Sequence, residues 1–407
     1  MGWTTPTVAA DALVAGVDTH ADTHTLAILT GTGTVIMTET FTANRSGYHK
    51  LIAALDAAGQ VAIIGVEGTN SYGAGLTRSL LEADYTVHEV LRPTRQVRRM
   101  DGKSDPIDAV EAAHTVLSGR GVSIVKDSAS PAESLRFLLA ARNQMIHTTT
   151  ALASSMASLL VTAPETVRAK YRDLNTTTLV RRLAASRPDH NCDSVHAVVT
   201  QSLREMAKAH QDAKSRAERL QERMRALLEA YYPAVLGVYG AGPVVAAQLV
   251  VTAGGNPGRI RSEAAFAHLC GAAPIPASSG KTNRHRLNRG GDRRGNTALH
   301  RIALIRMQRD PRTKEYVARR RSEGKNTREI MRCLKRAIAR EIYRVLTSNP
   351  VTTIVTDLRE LRQNQHITLK QAAHTLGTWP SRISDIEKHR RPLPQLTHQY
   401  QKWLTTT

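Results

Sequence analysis

The sequence predicts an α/β domain followed by a long, mainly α-helical stretch, and three observations carry that division. Strand-like and helix-like patterns alternate over residues 12–125. The polar segment DSASP at 127–131 then interrupts them. From residue 132 onward the apolar residues recur at helical rather than strand spacing.

In the first part, LVAGVDTH, HTLAILT and TVIMTETF are three short β-rich runs separated by polar turns. Gly31-Thr32-Gly33 is a hairpin signal between the second and third. A helix pattern runs from Ser46 to Ala58, and VAIIGVE is nearly continuously apolar, as a buried central strand is. Gly73 to Ala83 reads as helix and YTVHEVL as strand. The resulting order, βββαβαβ over residues 10–126, is that of an RNase-H-like (RuvC-like) core.

Two helical stretches follow, 132–185 and 200–230, broken near Arg187-Pro188-Asp189-His190-Asn191. The second sets apolar residues at helical spacing among dense charge, which suits a helical hairpin or coiled coil over 132–232. Residues 235–348 are mostly helical and very basic, and Asn349-Pro350 ends them. Residues 355–404 form a small compact helical pattern.

Composition narrows the partner. Of 407 residues, 41% are hydrophobic and only 4% aromatic, so the cores are built from Ala, Val, Leu and Ile. Lys plus Arg number 56 against 35 Asp plus Glu, a formal charge of +21 that favours a polyanion, because each phosphate contact releases condensed counterions. Cys192, Cys270 and Cys333 form neither a CxxC pair nor a disulfide framework, which implies a reducing compartment. MGWTTPTVAADALVAG lacks a charged segment followed by an apolar core, and no run approaches the roughly 18 apolar residues of a spanning helix. The sequence reads as cytoplasmic.

Four acids stand where chemistry is expected. Asp18 ends the first strand in GVDTH and Glu67 the fourth in IGVEGTN, while Asp105 and Asp108 open a helix in DGKSDPIDAVEAA. The first and fourth strands of an RNase-H-like sheet are neighbours, so Asp18 and Glu67 come together. Asp105 and Asp108 share one face of a helical turn. Carboxylates so close repel unless hard cations neutralise them. Mg²⁺ prefers oxygen ligands, and two such ions can serve both oxygens of a phosphoryl transfer. A single acid at a strand end is ordinarily a solvated turn residue; the set in this strand order is more specific. Asp22 and Asp101 are nearby but outside the set.

The basic region holds two further features. YGAGPVVA fits a helix-hairpin-helix, whose Gly-x-Gly turn offers backbone N–H groups to a phosphate, although a helix-packing turn gives the same pattern. Ser278 and Ser279-Gly280 lie in a polar loop flanked by Lys281, Arg284, His285, Arg286, Arg289, Arg293 and Arg294. A serine hydroxyl needs activation to act as a nucleophile, and clustered guanidiniums bind phosphate and its developing charge. By composition alone these serines are loop residues within a phosphate-gripping patch.

The strings GVDTHADTHTLAIL, VEGTNSYGAGLTRSLLEADYTVHEVLRPTRQV and GKSDPIDAVEAAH resemble the N-terminal domain of the DEDD transposases of the IS-one-ten insertion-sequence family. Asp18, Glu67, Asp105 and Asp108 match its four acidic positions. G-AAP----SG, followed by basic residues and a Gly-rich segment, resembles the C-terminal domain of the same proteins. There the serine before the glycine is the nucleophile, which maps onto Ser279, with Ser278 adjoining. The resemblance covers residues 12–346 in the family's order. It implies a Mg²⁺-dependent DNA recombinase that cleaves and rejoins strands to excise and insert a mobile element. It also implies an element-encoded guide RNA and a homo-oligomer, dimer or tetramer, for which the helical hairpin is the natural contact. Two other readings stay open: a metal-dependent junction-resolving nuclease without a covalent intermediate, and an inactive DNA-binding regulator. The second predicts missing acids, and all four are present.

LRELRQNQHITLKQAAHTLGTWPSRISDIEKHRR resembles the helix-turn-helix of Cro-like repressors. Thr368 caps a helix carrying Leu369, Ala372, Ala373 and Leu376, and Gly377 makes the turn. Pro380, Ser381, Arg382, Ser384 and Asp385 begin a recognition-type helix with Ile383 and Ile386 inward. Ser381, Arg382 and Ser384 would reach base edges. A helical cap without DNA contact is the alternative. This module departs from the usual family pattern.

Overall fold

In the computed structural model the described residues are 9, 11–90, 104–188, 193–276, 285, 286, 288, 290–348, 358–365, 367–387 and 393–406. They belong to two units, Met1–Ser128 and Ala129–Thr407, the boundary falling inside DSASP.

In the first unit β1 (Leu13–Thr19), β2 (Thr23–Thr30) and β3 (Val35–Thr42) are joined by tight turns. Then come α1 (Arg45–Ala58), β4 (Val61–Glu67), α2 (Ala74–Glu82), β5 (Val87–Val90), α3 (Asp105–Ser118) and β6 (Val122–Ile124). One sheet runs β3-β2-β1-β4-β5-β6. β1 is antiparallel to β2 and parallel to β4, and β4 is parallel to β5. Both faces are covered. Ala15, Val17, Leu26, Ile64 and Val66 pack with Leu51, Leu55, Leu76 and Leu80 of α1 and α2. On the other face Val14, Ala27, Leu29 and Ile63 pack with Ala109, Ala112, Ala113 and Val116 of α3. Double coverage is why β1, β2 and β4 read as apolar runs, whereas the edge strand β3 is largely exposed. β6, three residues antiparallel to β5, adds an edge strand that sequence pattern does not reveal; a run that short carries no periodicity.

The second unit opens with α4 (Pro131–Thr162), α5 (Glu165–Tyr171), α6 (Thr176–Ala184) and α7 (Val195–Tyr231). The stretch 132–185 is thus three helices. Pro164 holds Ala163 extended (ψ 153°), which ends α4, and Asn175 caps α6 by accepting from the Thr178 amide. Met156, Leu160, Val167, Leu179, Leu183 and Leu203 bind these helices to α7.

Next come α8 (Pro233–Leu236), α9 (Pro243–Ala253), a 3-10 turn (Pro257–Arg259) and α10 (Glu263–Leu269). The antiparallel pair β7 (Ile275–Pro276) and β8 (His285–Arg286) precedes α11 (Arg293–Arg309), α12 (Pro311–Ser322) and α13 (Thr327–Ser348). Leu249, Val250, Phe266, Leu299, Ile302, Ile330 and Ile338 form their shared core.

The C-terminal helices are α14 (Leu358–Asn364), α15 (Leu369–Thr375), α16 (Pro380–Glu387) and α17 (Pro394–Thr406). They close on Leu358, Ala372, Ala373, Ile383, Ile386, Tyr400 and Leu404. Thr368 and Gln371 form a capping box on α15, and Gly377 takes a left-handed φ of 61° between α15 and α16. Among the described residues no helix is long and apolar enough to cross a membrane.

Candidate active site

The C-terminal ends of β1 and β4 lie side by side. Val17 pairs with Val66 in the parallel register, so the next residues, Asp18 and Glu67, are neighbours. Thr19 Oγ1 donates to the Glu67 carbonyl at 2.8 Å and ties the two strand ends together. Gly68, with φ 70°, turns the chain away directly after Glu67.

The other two acids come from α3. Gly16 and Gly65 leave room on the sheet for this helix: a Cβ on Gly16 would strike the Ala109 carbonyl and the Ala113 amide, and one on Gly65 would strike Val116. Seated there, α3 places Asp105 and Asp108 in its first turn. Carboxylates at that end are favoured by the helix dipole and its unpaired N–H groups.

Asp18 and Glu67 are only 4% and 5% exposed, deep burial for carboxylates. Burial pushes the Asp18 carboxyl above its ordinary range; His20 opposes that shift, and Glu67, Asp108 and Asp105 add to it. All four acids therefore act on one another at Asp18.

His20 completes the cluster. Its Nε2 is 3.1 Å from Asp18 Oδ2 and 3.3 Å from Asp105 Oδ1. One ligand atom from each of Asp18, His20 and Asp105 lies within 4.8 Å of the others, a spacing that suits a metal ion. Asp18 Oδ2 and His20 Nε2, the two atoms of the 3.1 Å contact, are shielded from solvent and have no other hydrogen-bond partner among the described residues. The donor set, carboxylate oxygens with one imidazole, fits a hard divalent cation.

His20 is the member that sequence reasoning missed. The signal was in GVDTH: residues two apart along extended chain point the same way, so Asp18 and His20 share a side. Asp22 is exposed in the β1–β2 turn and outside the cluster, and Asp101 lies outside the described residues.

In the second unit, β7 and β8 pair Ile275 with Arg286 and Pro276 with His285. Ser278, Ser279, Gly280, Lys281 and Arg284, between them, lie outside the described residues, as does Arg289. The surroundings are fixed by polar contacts. Asn288 Nδ2 donates to the His268 carbonyl at 3.3 Å, and Asn296 Nδ2 to the Cys270 carbonyl at 2.7 Å. Lys335 Nζ donates to Asn296 Oδ1 at 3.0 Å. Asp292 caps α11, accepting from the Arg294 amide at 2.8 Å and from Thr252 Oγ1 at 2.5 Å. Arg293 and Arg294 are exposed in the first turn of α11. Cations at the positive end of a helix weaken it slightly. In the C-terminal helices Ser381 and Arg382 are exposed in the first turn of α16 and Ser384 is half-buried.

Comparison with known proteins matches both halves. Residues 15–163 match a DEDD transposase domain of IS110 type, described as "Transposase". Residues 233–318 match the domain described as "Transposase IS116/IS110/IS902 family". A curated relative is the "Insertion element IS900 uncharacterized 42 kDa protein" of Mycobacterium paratuberculosis, 28% identical over 118 residues. That match spans 29% of this chain and 30% of the relative's length.

Proposed function

We propose, for a chain that carries both domains of the IS110-family transposases in the family's order, that it cuts and rejoins DNA strands to move a mobile element, using a serine nucleophile and a divalent-metal site. The observation that carries this reading is the convergence on buried Asp18 of Glu67 from the adjacent strand end and of Asp105 and Asp108 from the first turn of α3.

In this reading Asp18, Glu67, Asp105 and Asp108, with His20, hold Mg²⁺. When bound, such an ion would supply positive charge to offset the negative charge that develops in phosphoryl transfer. Ser279 is the nucleophile: its Oγ gives up its proton and bonds to phosphorus as one backbone P–O bond breaks, the leaving deoxyribose oxygen takes up a proton as a free hydroxyl, and the protein–DNA phosphodiester keeps the bond energy for the reverse attack that rejoins the strand. Arg286, Arg293 and Arg294, with Lys281, Arg284 and Arg289, grip the flanking phosphates. Gly280 lets the backbone approach the phosphate closely. The C-terminal helices act as a helix-turn-helix, with Ser381, Arg382 and Ser384 toward base edges. The partners are donor and target DNA, an element-encoded guide RNA and further copies of the chain, in the cytoplasm.

The test is substitution at the acids. Asp18→Ala and Asp105→Asn should each abolish recombination and weaken Mg²⁺ binding while DNA binding persists. Full recombination by either variant in Mg²⁺ defeats the assignment.

A further inference from the structure

Helices α4, α9 and α11 of the second unit meet around a cavity of about 160 Å³ whose rim carries Asn143, Gln248, Arg294, Thr297 and Arg301. Arg294, Thr297 and Arg301 recur at helical spacing and present one face of α11 to it. Arg142, beside Asn143 on α4, lies close enough to Arg301 to feel its charge.

The charge there is one-sided. Among the described residues Arg142, Arg294 and Arg301 make no ion pair. The nearest acid along α11, Asp292, is occupied by the Arg294 amide and the Thr252 hydroxyl. Arg142 Nε is shielded from solvent and has no hydrogen-bond partner. Burial pushes the Arg142 guanidinium below its ordinary range, and the charge of Arg301 pushes it further. Other arginines of this unit are treated differently. Arg306, on the same helix, grips both oxygens of Glu341 at 2.7 and 3.0 Å, and Arg340 meets Glu263 at 2.9 Å. Both of these arginines are paired with an acid. Arg294 and Arg301 line the α4–α9–α11 cavity with Asn143 and Gln248, Arg142 adjoins Arg301, and among the described residues no acid pairs with any of the three guanidiniums.

We propose that Arg294 and Arg301, with Arg142 adjoining Arg301, form a phosphate-binding site, completed by Asn143 and Gln248, that holds one backbone phosphodiester of a bound nucleic acid. The guanidinium fork matches two non-bridging phosphate oxygens, and an anion relieves the repulsion between Arg142 and Arg301. A cavity this small takes a single tetrahedral group with its waters. The inference rests on the nucleic-acid function proposed above and extends the phosphate contact assigned there to Arg294 into a cavity shared with Arg301 and the α4 side chains. α11 begins just after the serine loop in sequence.

The experiment uses the full chain and R142Q/R301Q. Binding of labelled duplex DNA and of a labelled structured RNA is followed by fluorescence anisotropy across a salt series, and thermal unfolding is followed in chloride and in inorganic phosphate. The site predicts at least tenfold weaker binding and a salt slope smaller by about one for each phosphate that the variant no longer holds. Weakening confined to DNA or to RNA identifies which strand sits there. The melting temperature of the variant should equal or exceed that of wild type, because the change removes repulsion, and phosphate should stabilise wild type more than the variant. Undiminished binding of both nucleic acids by a folded variant overturns the site, and so does a lowered melting temperature without a phosphate effect in wild type. A wild-type protein that binds neither nucleic acid overturns the transposase reading as well.

Discussion

Gly16 and Gly65 are register partners in the parallel pairing of β1 and β4, and α3 lies in the space that two side chains would otherwise fill. Sheet and helix are thereby linked to the chemistry. Two positions beyond each glycine the strands reach Asp18 and Glu67, and the helix that rests on the glycines begins with Asp105 and Asp108. The approach of the acids is set by the absence of two Cβ atoms.

Gly16→Ala therefore disturbs the metal site without touching a ligand. The added Cβ meets main-chain atoms of Ala109 and Ala113, which cannot rotate away, so α3 must lift. Overpacking of this kind costs about 1–3 kcal/mol. Urea unfolding should show that destabilisation, and calorimetric titration should show Mg²⁺ affinity reduced at least tenfold. Wild-type Mg²⁺ affinity in Gly16→Ala would mean that α3 does not position the acids.

The first unit should lose stability in mild acid. His24 is fully buried, stacked on Tyr48 at 5.6 Å, with neither ring nitrogen hydrogen-bonded to a side chain; His88 is buried as well. Burial lowers the pKa of both in the folded state. The unfolded chain then binds more protons, so the stability these residues contribute is complete above about pH 6.5 and is lost as pH falls toward their folded values. Each can contribute a slope of at most roughly 1.4 kcal/mol per pH unit. Denaturant unfolding at pH 8 and pH 5.5 should differ, and His24→Phe should flatten the difference. An unchanged slope in His24→Phe contradicts this.

The positions of Asp18 and Glu67 were legible because a strand ending in an acid after an apolar run is a local pattern, and because strand order supplies the neighbour. His20 was less visible: its role depends on β1 ending at Thr19 and on Asp105 arriving from a helix distant in sequence. The break at Pro164 shows the opposite failure, in which helical spacing continued across a residue whose ring excludes the helix. Gly16 was readable as a residue but not as a docking point, since what fills its empty side is non-local.

A buried ion pair holds the C-terminal helices. Arg362 Nε meets Glu387 Oε1 at 2.6 Å with both side chains nearly inaccessible, and the Tyr400 hydroxyl donates to the same oxygen at 2.7 Å. Removing one partner strands a buried charge and costs about 3–5 kcal/mol. Glu387→Leu should unfold residues 358–406 selectively and, in the proposed reading, weaken duplex binding. Thermal unfolding followed through Trp379 and Trp403 fluorescence checks it; an unshifted transition would show that the pair contributes little.

The proposed function is tested most directly by trapping the reaction on a nicked or mismatched DNA substrate with Mg²⁺ and looking for protein joined to DNA. A serine recombinase predicts an adduct that survives denaturant, maps to Ser279, and is absent from Ser279→Ala. Efficient strand exchange by Ser279→Ala with no adduct on any residue would contradict it and leave a metal-dependent nuclease that uses water.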